Sequence, residues 1–379
     1  MNPQLPLLLL LTPGFPASAD DRACLPMHAL LARTLAARYP GVELQVIAFQ
    51  YPYREEPYGF HGVHVLPMNG RNRGGLRAWQ LRRKVLRRLL RINRQRAVLG
   101  VLSFWYGDCA AVGERFMQRT GVPHFCWILG QDARAANRWP ARLQLPAARL
   151  LALSPFLQSE FARSHGTLPE RVLLPGIDPS DFPPLPRVRD IDLMAAGSLI
   201  PLKRFDRFIA LVAALKKEWP AVRAILVGAG SEGGALRALA LELGVEDNLT
   251  FTGELPQPDV LLLMQRSRLF VHPSSYEGFS GVCMEALAAG ARVLSHCAAL
   301  DSPVPQWHIV PAAEGLLPAA LDLLRNEEPQ VPVQPFLMTD TVDQLATLFP
   351  DLARKNTVDL FRNGIEGQLL PEAPEHLVP

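Results

Sequence analysis

Two patterns in the 379-residue sequence predict an α/β protein built of two doubly wound domains facing across a cleft. Short apolar runs alternate with helix-like segments along its length, and a proline-rich stretch breaks the chain near the middle. A third observation places the site. Residues 269–295 read as strand, polar loop, helix and second strand, with Gly290 closing the helix. In an open parallel sheet, ligands bind outside the carboxyl ends of the strands, where residues 273–280 fall.

The composition is that of an ordinary globular protein, with 49% hydrophobic and 20% charged residues. Disorder is expected only at the ends. The net charge of +3 conceals an asymmetry: residues 1–190 carry 25 Lys and Arg against 13 Asp and Glu, and residues 191–379 carry 14 against 23. A basic first half suits an anionic surface, and no nucleic-acid motif accompanies it. The five cysteines (Cys24, Cys109, Cys126, Cys283, Cys297) form no C-x-x-C pair, which implies reduced thiols, a cytoplasmic setting and no structural zinc. No apolar run approaches the ~20 residues of a membrane span. Residues 5–19 imitate a short signal peptide, yet no Lys or Arg precedes the apolar core, so residues 7–11 are read as the first strand.

In the first half, that strand leads into a Pro- and Gly-containing turn with Gly14, then a helix over residues 25–38 and a strand over 41–49. Residues 71–96 hold eleven basic side chains and no acid, with Leu76, Trp79, Val85, Leu86, Leu89 and Leu90 among them at rough helical spacing. Such an amphipathic basic helix either lies on anionic lipid at the inner face of a membrane or packs on the sheet with a solvated basic face. The next strand, 97–104, ends in Trp105, Tyr106 and Asp108, which either face a ligand at the crevice, where aromatic faces suit sugar rings, or belong to the core. A strand over 124–129 delivers Gly130, Gln131 and Asp132 to the same edge. After a strand over 150–153, Ser154 caps the helix 155–163. Pro179, Pro183, Pro184 and Pro186 mark the boundary. The divisions expected are 1–185, 186–335, and a segment 336–379 that crosses back to the first domain and ends in a disordered tail from 371.

The second half opens with a strand at 191–196, followed by GSLIPLKRFDRF with Lys203. Asp190 and Asp192 imitate a metal-binding D-x-D, but they lie at the wrong end of the strand. Gly228 to Gly233 is a formal G-x-G-x-x-G, read as a tight turn near a nucleotide in preference to an NAD site. The 269–295 stretch then supplies Glu277, Gly278, Phe279, Ser280 and Gly281 in its loop, and Glu285 on its helix. A helix starting near Ser280 would offer free N–H groups to a phosphate. The carboxylates of Glu277 and Glu285 would stand on the order of 10 Å apart. A nucleotide sugar has that length, with Glu277 on the sugar hydroxyls and Glu285 on the ribose.

The run HPSSYEGFSGVCMEALAAG resembles the Glu-x7-Glu motif of retaining glycosyltransferases of family 4, glycosyl transferases group 1, which have the GT-B fold of two Rossmann-like domains. The resemblance is strong over residues 193–295 and weaker over 7–178. It implies transfer of a hexose-type sugar from a nucleotide diphosphate sugar to a hydroxyl of a glycan or lipid-linked acceptor, without metal. Lys203 matches the family's phosphate-binding lysine, an ammonium able to neutralise a departing diphosphate. Ser198 stands where the family usually has Arg, so Arg204 is a substitute clamp, activity is weakened, or the chain is an inactive nucleotide-sugar-binding partner or scaffold. A glycoside hydrolase is a further alternative. Gly14 matches the family's first loop without its second glycine, and Gly130-Gln131-Asp132 occupies the loop that often holds His. Asp132 is the candidate general base, with Asp108 as its rival.

Overall fold

The structure, a computed structural model, describes residues 5–18, 21, 26–182, 184, 188–297 and 300–352. Cys24, the boundary prolines Pro183 and Pro186, and the tail from 353, including residues 371–379, lie outside the described residues.

The first sheet contains β1 (Leu7–Gly14), β2 (Glu43–Tyr51), β3 (Tyr58–Phe60), β4 (Val63–Pro67), β5 (Val98–Phe104), β6 (His124–Ile128), β7 (Leu150–Ala152) and β8 (Arg171–Val172). Their order is β3-β4-β2-β1-β5-β6-β7-β8, and within it β3 alone runs antiparallel. Helices α1 (Pro26–Arg38), α2 (Gly75–Gln95), α3 (Asp108–Thr120), α4 (Trp139–Leu143) and α5 (Pro155–His165) connect them. The run Leu7 to Leu11 is continuous rather than alternating because β1 is covered on both faces. Leu8 and Leu10 pack in one cluster, and Leu7, Leu9 and Leu11 in another. The second cluster also takes the apolar face of α2 (Leu81, Val85, Leu86, Leu89), so most of the apolar stripe of the basic helix is spent inside the domain, while Leu76 and Trp79 stay exposed.

The second sheet contains β9 (Ile191–Ala196), β10 (Ala224–Val227), β11 (Leu249–Gly253), β12 (Ser267–His272), β13 (Arg292–Ser295) and β14 (Trp307–Ile309), all parallel, in the order β11-β10-β9-β12-β13-β14. Helices α6 (Phe205–Glu218), α7 (Gly233–Glu242), α8 (Gln257–Arg266), α9 (Gly281–Ala288) and α10 (Leu316–Arg325) cover it. The last described helix, α11 (Met338–Ala346), rests on α1: Asp343 accepts hydrogen bonds from Arg38 at 2.9 and 3.0 Å and from Tyr39 at 2.7 Å. Each sheet reverses its winding once, between β1 and β5 and between β9 and β12. Those switch points are where the crevices of doubly wound sheets open.

Candidate donor-binding and catalytic site

At the switch point of the second sheet, β9 and β12 each deliver one charged group. Beyond β9 the chain turns through Gly197 into a short 3-10 turn, Pro201–Lys203. Beyond β12 the loop bearing Glu277 is tied to that turn, since the Leu202 carbonyl accepts from Ser275 N–H at 3.0 Å and from the hydroxyls of Ser275 and Ser274 at 3.1 and 3.3 Å. The stitched loops place Lys203 Nζ 2.5 Å from Glu277 Oε1. His272, the last residue of β12, approaches the same oxygen through Nε2 at 2.8 Å. Burial works against the Glu277 charge, but the His272 hydrogen bond and the Lys203 ammonium outweigh it and lower its pKa to about 2. Burial also lowers the pKa of His272 and keeps the ring neutral.

A cavity of about 430 Å³ opens beyond Gly197, where a Cβ would lie 3.8 Å from Lys203 Cε; Lys203 and Glu277 are not among its lining residues. Its wall runs from Ser198 and Gly228 to Gln257 and Glu285, and α1 brings Arg33 to it from the first domain. A second cavity of about 230 Å³ shares Gln257 and Glu285 and continues against Phe279 and Gly281. Glu285 accepts from Gln257 Nε2 at 2.6 Å. Burial raises its carboxyl to about 7, opposed by that hydrogen bond and assisted by the charge of Asp181. Arg33 itself is held by Asp178 and Asp181, on the segment leading out of the first domain. Ser198 is exposed in the larger cavity.

Several sequence expectations change here. Gly228 has φ of 133°, and a Cβ on it would stand 1.9 Å from the Gly197 carbonyl oxygen. Gly230 would likewise meet the Leu199 carbonyl at 2.4 Å. The glycine pattern is therefore a close packing of the β10 turn on the β9 turn, with Gly228 in the cavity wall. Gly278 was expected at the phosphate-facing helix start, but α9 begins at Gly281. Gly278 instead touches the other domain: its Cβ would lie 2.7 Å from Gly130 Cα, and its carbonyl accepts the Ser154 hydroxyl. Tyr276 adds a hydrogen bond to the Gly130 carbonyl at 3.0 Å. Ser280 is 2% exposed and its hydroxyl donates to Cys283 Sγ at 3.1 Å. Arg204, the expected substitute clamp, is bidentate on Asp206 at 2.8 and 2.9 Å. Asp190 and Asp192 are engaged by Arg266 and Arg268, and among the described residues no group of three or more His, Cys, Asp or Glu could hold a metal.

On the first-domain side, Asp132 is turned inward. It is 4% exposed, its Oδ2 accepts Leu129 N–H at 2.8 Å, and burial raises its carboxyl to about 7. The structure does not bring it into the Lys203–Glu277 cluster; its carboxylate shapes its own loop. Gln131 beside it is exposed. Tyr106 belongs to the core at 2% exposure, its hydroxyl accepting Leu145 N–H at 2.8 Å, and Asp108 pairs with Arg82 at 2.5 Å. Trp105, with φ of 64°, packs edge-on against His28. Gly14 closes β1 where the β1–β2 register shifts, its carbonyl accepting the Thr12 hydroxyl at 2.8 Å. Sequence reasoning missed His272, Gln257 and Arg33. His272 was visible as the first letter of HPS, whereas Gln257 and Arg33 carry no local signal.

Comparison with known proteins agrees with this geometry. Residues 179–298 match the model of the family Glycosyl transferases group 1. Glycogen synthase of Mycobacterium tuberculosis is 28% identical over 177 residues, 45% of this chain. The chain spans 31% to 43% of the length of the first curated relatives it matches. Among solved structures, sucrose-phosphate synthase from Thermosynechococcus elongatus superposes with a TM-score of 0.66 at 17% identity, covering 94% of this chain and 98% of that one. Anabaena HepE, solved with UDP and glucose, gives 0.64 at 17%, covering 95% and 99%. The fold is GT-B.

Proposed function

We propose that the chain transfers a hexose-type sugar, with retention, from a nucleotide diphosphate sugar to a hydroxyl of a glycan or lipid-linked acceptor, as a member of family 4. The observation that carries this reading is the Lys203–Glu277 pair at the switch point of the second sheet, with Lys203 next to the Gly197–Ser198 wall of a cavity that reaches Glu285. In this scheme the nucleoside lies toward Glu285 and Gln257, and the diphosphate toward Ser198 and Lys203. Lys203 then stabilises charge on the leaving diphosphate, and Glu277 orients the sugar. No metal is part of the scheme, because the ammonium supplies the positive charge. The retained pair at this position favours a working transferase over an inactive relative. The test is a panel of nucleotide diphosphate sugars in a thermal-shift assay, followed by product analysis. One donor should raise the melting temperature and be consumed only when acceptor is present. Stabilisation without turnover across a broad acceptor pool would overturn the catalytic part.

For the lipid-linked acceptor the supporting observation is the outer face of α2. Arg77, Arg87, Arg91 and Arg94 are exposed and have no ion-pair partner among the described residues, and Leu76 and Trp79 at the helix start are 68% and 44% exposed. An anionic bilayer would meet both groups. Co-sedimentation with phosphatidylglycerol vesicles but not phosphatidylcholine vesicles is expected, and it should weaken when Arg87 and Arg91 become Glu.

A further inference from the structure

Lys203 and His272 both reach Glu277 through one oxygen, Oε1, at 2.5 and 2.8 Å, which leaves Oε2 without a partner among the described residues. The side chain of Glu277 is 13% exposed and that of His272 only 1%. His272 Nδ1 is buried and has no hydrogen-bond partner among the described residues. A proton there would be a buried N–H without an acceptor, a costly arrangement, while the proton on Nε2 has a carboxylate to meet. The ring is therefore the neutral Nε2–H tautomer, a fixed donor on a rigid strand end.

We propose that His272 is a positioning residue: it clamps Glu277 Oε1 from below while Lys203 holds it from the side, so that Oε2 is presented to the ligand as a free acceptor. The kinetic part of this inference rests on the transfer reading above; the tautomer does not. A side chain carboxylate has two rotatable ends, and two donors on one oxygen define which way the other points. The groups that face Glu277 from its packed neighbours are Lys203 after β9, His272 on β12, Cys283 on α9 and Cys297 after β13. Of these, His272 is the one whose donor direction is set by the sheet itself.

Two measurements on the full chain test this. With 15N-labelled histidine, NMR at about pH 7 to 8 should show the ring whose signals disappear in His272→Leu as the neutral Nε2–H tautomer. An Nδ1–H tautomer or an imidazolium at this ring overturns the proposal even if the protein proves not to be a transferase. In kinetics with an accepted donor, His272→Leu should lower kcat by roughly ten- to a hundredfold with donor KM nearly unchanged, because the nucleotide half of the cavity is untouched. His272→Gln, which can still donate to Glu277, should restore most of the loss. His272→Leu combined with Glu277→Gln should be no worse than Glu277→Gln alone, since both act through one carboxylate. An effect confined to KM, failure of Gln to rescue, or additivity with Glu277→Gln sinks it. Absence of transfer in the wild type with every donor would strike the function reading, and the tautomer would still decide this one.

Discussion

The two sides of the cleft are built differently. On the second-sheet side, charged and polar side chains converge: Lys203, His272 and Glu277 share one oxygen, and Gln257 meets Glu285. On the first-sheet side, the contact is mostly backbone: the Gly130 carbonyl receives Tyr276, Gly130 itself admits Gly278, and one side chain, the buried Ser154 hydroxyl, donates to the Gly278 carbonyl. The carboxylate and aromatic groups that the sequence offered there, Asp132 and Tyr106, face inward. One side is encoded as chemistry, the other as shape.

The sharpest way to break this contrast is to remove the cation. Lys203→Ala should lower turnover by roughly 10²–10³-fold, about 3–4 kcal/mol in the barrier, the size of a lost charge stabiliser for a developing anion. Melting temperature should change little, because the side chain is part-exposed and its partner retains His272. Unchanged turnover would remove the central element of the second-sheet side. Next comes the backbone under that side. Gly228→Ala places a Cβ 1.9 Å from a carbonyl oxygen at a φ of 133°, so chemical denaturation should show a loss of about 2–3 kcal/mol. A neutral result would mean the β9 and β10 turns can separate freely.

This difference also explains what was legible. The 269–295 stretch could be read as strand, loop, helix and strand because these elements are local, and Glu277 falls in the loop and Glu285 on α9 as expected. Lys203 drew notice because GSLIPLKRFDRF resembles a strand-loop element of the family, and the structure sets it in a short turn after β9. The fold was legible for a similar reason, since buried parallel strands such as Leu7 to Leu11 are continuous apolar runs. Motif position reads Gly278 and Ser280 as phosphate-binding, and α9 does start beside Ser280, at Gly281; what spacing cannot say is that Gly278 packs on Gly130 and that the Ser280 hydroxyl turns to Cys283. Asp132 reads as a general base in the sequence because nothing there says which way a loop carboxylate turns, and Leu129 N–H, three residues away, holds it inward. Arg33 lies 148 residues from the Asp181 that holds it, beyond any motif.

A smaller effect separates Asp132 as base from Asp132 as scaffold. Its carboxyl is raised to about 7 by burial, so the folded chain keeps a proton that the unfolded chain releases above about pH 4. Stability contributed by this group is therefore lost as pH rises from about 4 through about 7. Asp132→Asn accepts the Leu129 hydrogen bond without titrating, and the drop in unfolding free energy between pH 5 and pH 8 should shrink by about 1–3 kcal/mol. Turnover at pH 7.5 should stay within a few-fold of wild type. A collapse of kcat instead would place the general base here after all and give the first-sheet side a chemistry of its own.

The smallest effect tests whether aromatic groups on that side meet the acceptor. Tyr106 is buried, stacks on Phe161 with ring centroids 5.7 Å apart, and accepts Leu145 N–H at 2.8 Å. Tyr106→Phe keeps the ring and leaves that amide unpaired, which should cost about 1 kcal/mol of stability. If the ring only supports the 137–145 segment, acceptor KM should not move, since the surface presented to the cleft is the same. A rise in acceptor KM with unchanged stability would show that the hydroxyl reaches a ligand, and the division between a chemical side and a shaped side would fail at its least certain point.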